Sequence, residues 1–125
     1  MEYNIKIEEW FTKKLIRTSI SGTLNESDRN HVIVETFKVM RKEGISSIIW
    51  DLRESDLDYS LFGSHKIIEE LDDFGFKLND RVAVVYKQNA ANHKHADNVA
   101  FNRNKQIKYF NTTIDEAQKW LFQGK

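Results

Sequence analysis

The stretch that decides the fold is Ser46-Ser47-Ile48-Ile49-Trp50-Asp51-Leu52-Arg53-Glu54-Ser55-Asp56. It opens on an uninterrupted apolar run, of the kind found in strands buried on both faces of a parallel sheet. It closes on a charged cluster, and a helical pattern starts a few residues later, near Ser60. In α/β folds, polar groups between the carboxyl end of a strand and the next helix are where ligands and modifications gather. The strand is read as Ser46–Asp51 and the loop after it as Asp51–Ser60.

Upstream, Tyr3–Glu8 and Leu15–Ser21 read as strands, and the connection Glu9-Trp10-Phe11-Thr12-Lys13 is short enough for an antiparallel hairpin. Thr23-Leu24-Asn25-Glu26 fits a capping box, with Asn25 or Thr23 as the cap. A helix over Glu26–Glu43 follows, with Ile33, Phe37 and Met40 at i, i+4 and i+7 beside Val32, Thr36 and Val39. Gly44 supplies its left-handed stop.

Downstream, a second helix over roughly Ser60–Phe74 turns Leu61, Ile67, Ile68, Leu71 and Phe74 inward, and Gly75 ends it. Arg81–Tyr86 is another buried strand, Ala90–Arg103 has helical spacing, and Ile107–Phe110 is a short final strand. Thr113-Ile114-Asp115-Glu116 forms a second capping box, opening a last helix with Ala117, Trp120 and Leu121 inward. The order β-β-α-β-α-β-α-β-α predicts one α/β domain over residues 1–125. Its sheet is mixed and five-stranded, an opening β-hairpin followed by parallel βαβ units, with about four helices. No Pro, repeat or low-complexity stretch marks a domain boundary.

Composition narrows the function classes. Three Trp, four Tyr and eight Phe in a chain that is 40% hydrophobic argue against disorder. No stretch approaches the roughly 20 apolar residues of a membrane helix, and the alternating amino terminus reads as a strand rather than a signal peptide. Zero Cys suits a reducing interior, so the expected compartment is the cytoplasm. A net charge of zero gives no overall attraction to nucleic acid or anionic membrane. The charge is uneven, however: residues 43–80 hold ten acidic and three basic side chains, and residues 81–110 hold six Lys or Arg and one Asp. The two segments either neutralise one another in the fold or present a basic patch to an acidic partner.

Several stretches together carry a family resemblance. They are Ser21-Gly22-Thr23-Leu24 before the first helix, Ile48–Arg53, Arg81-Val82-Ala83-Val84-Val85, Phe110-Asn111-Thr112 and Asp115–Leu121. The chain resembles the SpoIIAA-like (STAS/SEC14-type) family of small bacterial proteins over nearly its whole length. The resemblance implies the fold, and it implies two functional classes. STAS domains are anti-sigma-factor antagonists regulated by phosphorylation of a Ser that opens the helix after the central strand, whereas SEC14-type domains bind lipids or other apolar ligands. Where the regulatory branch has an Asp-Ser-Ser-Gly type turn, this chain has Asp51-Leu52-Arg53-Glu54-Ser55.

The candidate site residues follow from these readings. Ser55 and Ser60 are candidate phosphoacceptors, since phosphate near a helix N-terminus gains from the dipole, or they are simple helix caps. Asp51, Arg53 and Asp56, with Lys87, His93 and His95 from the loop after Arg81–Tyr86, form a candidate contact rim, because both loops follow parallel strands. Asp51, Glu54, Asp56 and Asp58 lack EF-hand spacing, and His93-Lys94-His95 lacks a zinc pattern, so no metal or cofactor is expected. No nucleophile elbow, phosphate loop or dinucleotide fingerprint is present, so no enzyme is expected. Trp10 and Phe11, two large aromatics in a hairpin connection, form a candidate interaction patch for a protein partner or a second copy. The reading is a non-enzymatic regulatory or protein-interaction module. The alternative is a binder of a small anionic or amphipathic, lipid-like molecule, which needs a largely apolar cavity of about 300 Å³ or more.

Overall fold

In the computed structural model, the residues described are 2–23, 25–55, 70–71, 73–77, 79–86, 106–111 and 114–123. Five strands form one sheet in the order β1-β2-β3-β4-β5: β1 is Glu2–Trp10, β2 Lys13–Gly22, β3 Ser47–Ser55, β4 Arg81–Tyr86 and β5 Gln106–Asn111. Two helices are described, α1 over Glu26–Glu43 and α2 over Ile114–Phe122. The expected helices at Ser60–Phe74 and Ala90–Arg103 fall mostly outside the described residues, so the count of about four reduces to these two.

The hairpin is tighter and longer than the alternation in sequence implied. Trp10 pairs directly with Lys13, so the turn is Phe11-Thr12 alone and both strands extend to it. Phe11 sits at φ 58, in a region that costs an L-residue roughly 1–2 kcal/mol. Beyond the hairpin, β2, β3, β4 and β5 pair in parallel, as alternating strands and helices require. The helix α1 starts at Asn25, whose side chain accepts from Asp28 N at 2.8 Å while Asp28 accepts from Asn25 N at 3.2 Å. The capping box is thus Asn25–Asp28, two residues later than the Thr23–Glu26 match. Gly44 closes the helix at φ 69, the left-handed stop that glycine adopts without a Cβ penalty. The second box falls on Thr113, outside the described residues.

Period-2 alternation sorts the sheet into two faces. On the α1 side lie Ile16 and Ile20 from β2, Ile48, Trp50 and Leu52 from β3, Val82 and Val84 from β4, and Ile107 and Tyr109 from β5. Val32, Ile33, Phe37 and Met40 of α1 cover them, and Leu71 and Phe76 join the same core. On the α2 side Leu15, Ile49, Ala83, Val85 and Phe110 meet Ala117 and Leu121. β3 is therefore central and covered on both faces, and its first six residues are all buried.

Phe37 lies at the middle of the larger core. Its ring centroid is 6.2 Å from Trp50 and 6.3 Å from Phe76, both edge-on, and the chain turns beside it at Gly75, whose φ of 112 is one that residues with a Cβ rarely adopt. Replacing Phe37 with Ala should lower unfolding stability by about 3–5 kcal/mol, measured by urea denaturation. A loss below about 1 kcal/mol, the range of surface substitutions, would show that this contact does not organise the core.

Candidate functional site

At the carboxyl end of β3 the pairing with β2 slips. Ser19 pairs with Asp51 but Ser21 pairs with Glu54, so β3 gains one residue on its neighbour just where the charged cluster begins. Such bulges bend a strand and re-aim its side chains. Asp51 shares the parity of Ile49 and so points to the α2 side, where α2 packs mainly on β4, β3 and β5 and reaches β1 and β2 at Trp10, Lys13 and Leu15 near the hairpin turn.

There Asp51, only 7% exposed, is held by two guanidinium groups. Arg17 Nη2 donates to Oδ2 at 2.8 Å, and Arg53 donates from Nε to Oδ1 and from Nη2 to Oδ2, both at 2.9 Å. The Arg53 backbone N–H adds a further bond at 3.2 Å. Arg17 reaches on to Glu8 Oε2 at 3.5 Å, which closes a chain Glu8–Arg17–Asp51–Arg53 across β1, β2 and β3. Burial alone would raise the Asp51 carboxyl pKa; the bonds and charge of Arg53 and Arg17 outweigh it and hold it below the ordinary value. Asp51 in turn raises the Arg53 pKa. A carboxylate fixed in this way is a poor proton carrier and a good structural anchor. Beside it Glu54 is exposed and Arg53 is half-buried.

Asp51 and Arg53 stand together inside β3, which continues to Ser55 where the sequence reading ended the strand at Asp51 and began a loop. Asp56, Ser60, Lys87, His93 and His95 lie outside the described residues. Ser55 is only 3% exposed, and its hydroxyl donates to Leu52 O at 2.9 Å, so it is closed off from a modifying enzyme in this conformation. Trp10 and Phe11 stay in edge-on contact, ring centroids 4.6 Å apart, but differ in cover. Trp10 stacks on Phe122 of α2 with centroids 5.6 Å apart and planes 10° from parallel, while Phe11 is 82% exposed at the turn. Lys13 lies over the same Phe122 ring, 5.5 Å from its centroid. Arg17 and Glu8 went unrecognised from sequence, although a lone Arg within the apolar alternation of β2 marks a position whose charge needs a partner.

Two depressions flank these elements. One of about 200 Å³ is lined by Glu2, Tyr3, Asn4, Ser19, Asp51 and Glu54 at the end of β1 and β2. The other, about 370 Å³, lies along the flank of α1 where it meets residues 74–77, between Val34, Phe37, Phe74 and Gly75, with Lys38, Arg41 and Lys77 around it. Its cations are partly engaged: Arg41 pairs with buried Asp80, and Lys38 with Glu35 at 3.5 Å. Among the described residues no group of three or more potential metal ligands converges. No described helix is long and apolar enough to cross a membrane.

Comparison with known proteins follows the backbone. No family model and no curated protein sequence matches the chain. Among solved structures it is similar to an uncharacterised DUF3478-family protein with a SpoIIAA-like fold from Shewanella loihica PV-4. The TM-score is 0.62 and the identity 18%, over 95% of this chain and 93% of that one. It is also similar to the anti-sigma factor antagonist SpoIIAA in its unphosphorylated form, with TM-score 0.50 and identity 14%, over 93% and 94% of the two chains. The chain therefore has a SpoIIAA-like fold.

The Asp51 clamp is directly measurable. Asp51→Asn should cost about 2–4 kcal/mol at neutral pH, because it leaves two partly buried guanidinium groups without their anion. Since the folded carboxyl titrates below its unfolded value of 3.8, its contribution is present above that pH and is lost as the pH falls through the folded value. The gap in stability between wild type and Asp51→Asn should therefore shrink on acidification. A gap that is constant from neutral pH to strong acid would show that the carboxylate charge is not what holds the strand end.

Proposed function

We propose that the chain is a non-enzymatic regulatory or protein-interaction module of the cytoplasm. It docks a protein partner through the polar strip that β1, β2 and β3 expose beside α2. The observation that carries this reading is the Asp51 clamp: the most buried carboxylate of the strip is committed to two arginines, which suits it to shaping a surface rather than to acid–base work. The depression there, about 200 Å³, is below what enclosing a small molecule requires, whereas a partner surface can be shallow. Glu54 places an exposed negative charge on its rim, beside the half-buried Arg53 that Asp51 holds, and exposed charge at a rim favours oriented docking. SpoIIAA, one of the structural neighbours, is an anti-sigma factor antagonist, a role exercised on another protein, and the same class of role is assigned here.

A second reading rests on the α1 depression. At about 370 Å³, with an apolar floor at Phe37 and Phe74 and cations at Lys38, Arg41 and Lys77, it has the chemistry of a site for a small anionic amphipath.

Affinity purification from the native host separates the two. Wild-type protein should retain a defined protein partner, and Glu54→Lys, which reverses an exposed charge and removes none of the hydrogen bonds to Asp51, should reduce its recovery about tenfold or more. Recovery of a small molecule in native mass spectrometry, with its loss in a Lys77→Glu variant, would instead support the α1 site. Retention of the same protein partner by Glu54→Lys at wild-type yield would overturn the proposed surface.

A further inference from the structure

The hairpin geometry leaves one backbone edge open. β1 is the outermost strand, nine residues long, and among the described residues nothing pairs with its outer side. A two-residue turn makes Trp10 and Lys13 the pair that exchanges both backbone hydrogen bonds. Every second residue back from Trp10 (Glu8, Lys6, Asn4) therefore bonds to β2, and Tyr3, Ile5, Ile7 and Glu9 turn their N–H and C=O groups outward. An exposed edge of this length is a template for another strand unless its side chains forbid it. Ile7 stands on this edge and is 45% exposed; with Phe11 it is one of the two exposed large hydrophobic residues described.

The side chains select both the occupant and the register. Consider two copies of β1 meeting antiparallel about a two-fold axis. Centring the axis on Lys6 sets Lys6 against its own copy, and centring it on Glu8 does the same for Glu8. Centring it on Ile5 sets Glu2 against Glu8 twice. Like charges directly opposite one another are destabilising. Centring it on Asn4 avoids like charges too, with Lys6 against Glu2 twice, but engages only residues 2–6 of β1 and leaves the exposed Ile7 outside the pairing. Centring it on Ile7 uses the whole strand and sets Ile7 against Ile7, Ile5 against Glu9, and Lys6 against Glu8 twice, with no like-charge pair. Lys6 also gains what it lacks in one copy: its register partner on β2 is Arg17, another cation, and among the described residues no carboxylate pairs with it. The outward backbone groups of Ile5, Ile7 and Glu9 then close hydrogen-bonded rings with those of the partner.

We infer that the β1 edge is a self-complementary docking site for a second copy of this chain. The two copies pair antiparallel about Ile7, with reciprocal Lys6–Glu8 contacts, and join their sheets into one continuous sheet. This dimer stands on the edge alone and does not depend on the partner surface assigned to Arg53 and Glu54.

Sedimentation velocity of the purified full chain over a dilution series is the test. Wild type should show a reversible monomer–dimer equilibrium. Lys6→Glu turns both reciprocal pairs into like-charge pairs and should raise the dimer Kd about ten- to a hundredfold. The double variant Lys6→Glu with Glu8→Lys restores both pairs, and it keeps a carboxylate opposite Arg17, so its Kd should return to within a few-fold of wild type. Ile7→Lys, at a position already half exposed in one copy, should be monomeric with an unchanged circular dichroism spectrum. A wild type that stays monomeric throughout overturns the inference. So does a dimer that is indifferent to both Lys6→Glu and Ile7→Lys.

Discussion

The structure depends on β3 being buried from both sides. With α1 on one face and α2 on the other, Ile48, Ile49, Trp50 and Leu52 are within 2% of full burial. Burial of such side chains is worth roughly 1.5–3 kcal/mol each, and among the described residues no other strand holds a fully buried side chain as large as Trp50. The same double cover creates a difficulty at the strand's end. Asp51 lies on the continuation of the covered α2 face, and a carboxylate taken out of water there is costly unless it is paired. Arg17 from β2, diagonal to Asp51 in the regular register, and Arg53, in the stretch of β3 where the register shifts, supply the pairing. A packing requirement thus produces a charged feature at the sheet's carboxyl edge.

Guanidinium–carboxylate pairs recur wherever this fold must pin a turn to its core. Arg41 of α1 bonds Asp80, which is 1% exposed and also accepts from Lys77 N at 2.8 Å. Arg41 also donates to Gly75 O at 3.0 Å. Arg29, itself 2% exposed, reaches Glu70 at 3.1 Å. Both contacts tie α1 to the segment before β4, and the planar fork of Arg suits them better than Lys could. They fix the approach to β4 in the way the Asp51 clamp fixes the departure from β3. Beside Asp51 the clamp ties β2 to β3 and leaves Glu54 exposed next to it.

Much of this was legible in the residues. The apolar run at Ile48–Trp50, the hairpin, the stop at Gly44 and the alternation of strands with helices determine a mixed five-stranded sheet, because each is a local signal with a local cause. The capping box moved by two residues because Asn25–Asp28 satisfies the same geometric rule as Thr23–Glu26, and only the backbone decides between them. The different cover of Trp10 and Phe11 was not legible: the two rings touch edge-on, but Phe122, more than a hundred positions away, stacks on Trp10 while Phe11 stays exposed. The Glu8–Arg17–Asp51–Arg53 chain was half legible. Asp51 and Arg53 are neighbours in sequence, whereas Arg17 and Glu8 join them through strand register, which no single-strand pattern encodes.

The central claim is that the face beside Asp51 contacts another protein. Site-specific photocrosslinking in the native host tests it most directly, with the reactive group placed at position 54 on that face or at position 38 on the flank of α1. The account predicts a defined protein adduct from position 54 and none from position 38. A protein adduct from position 38 alone, or no adduct from position 54, would contradict it.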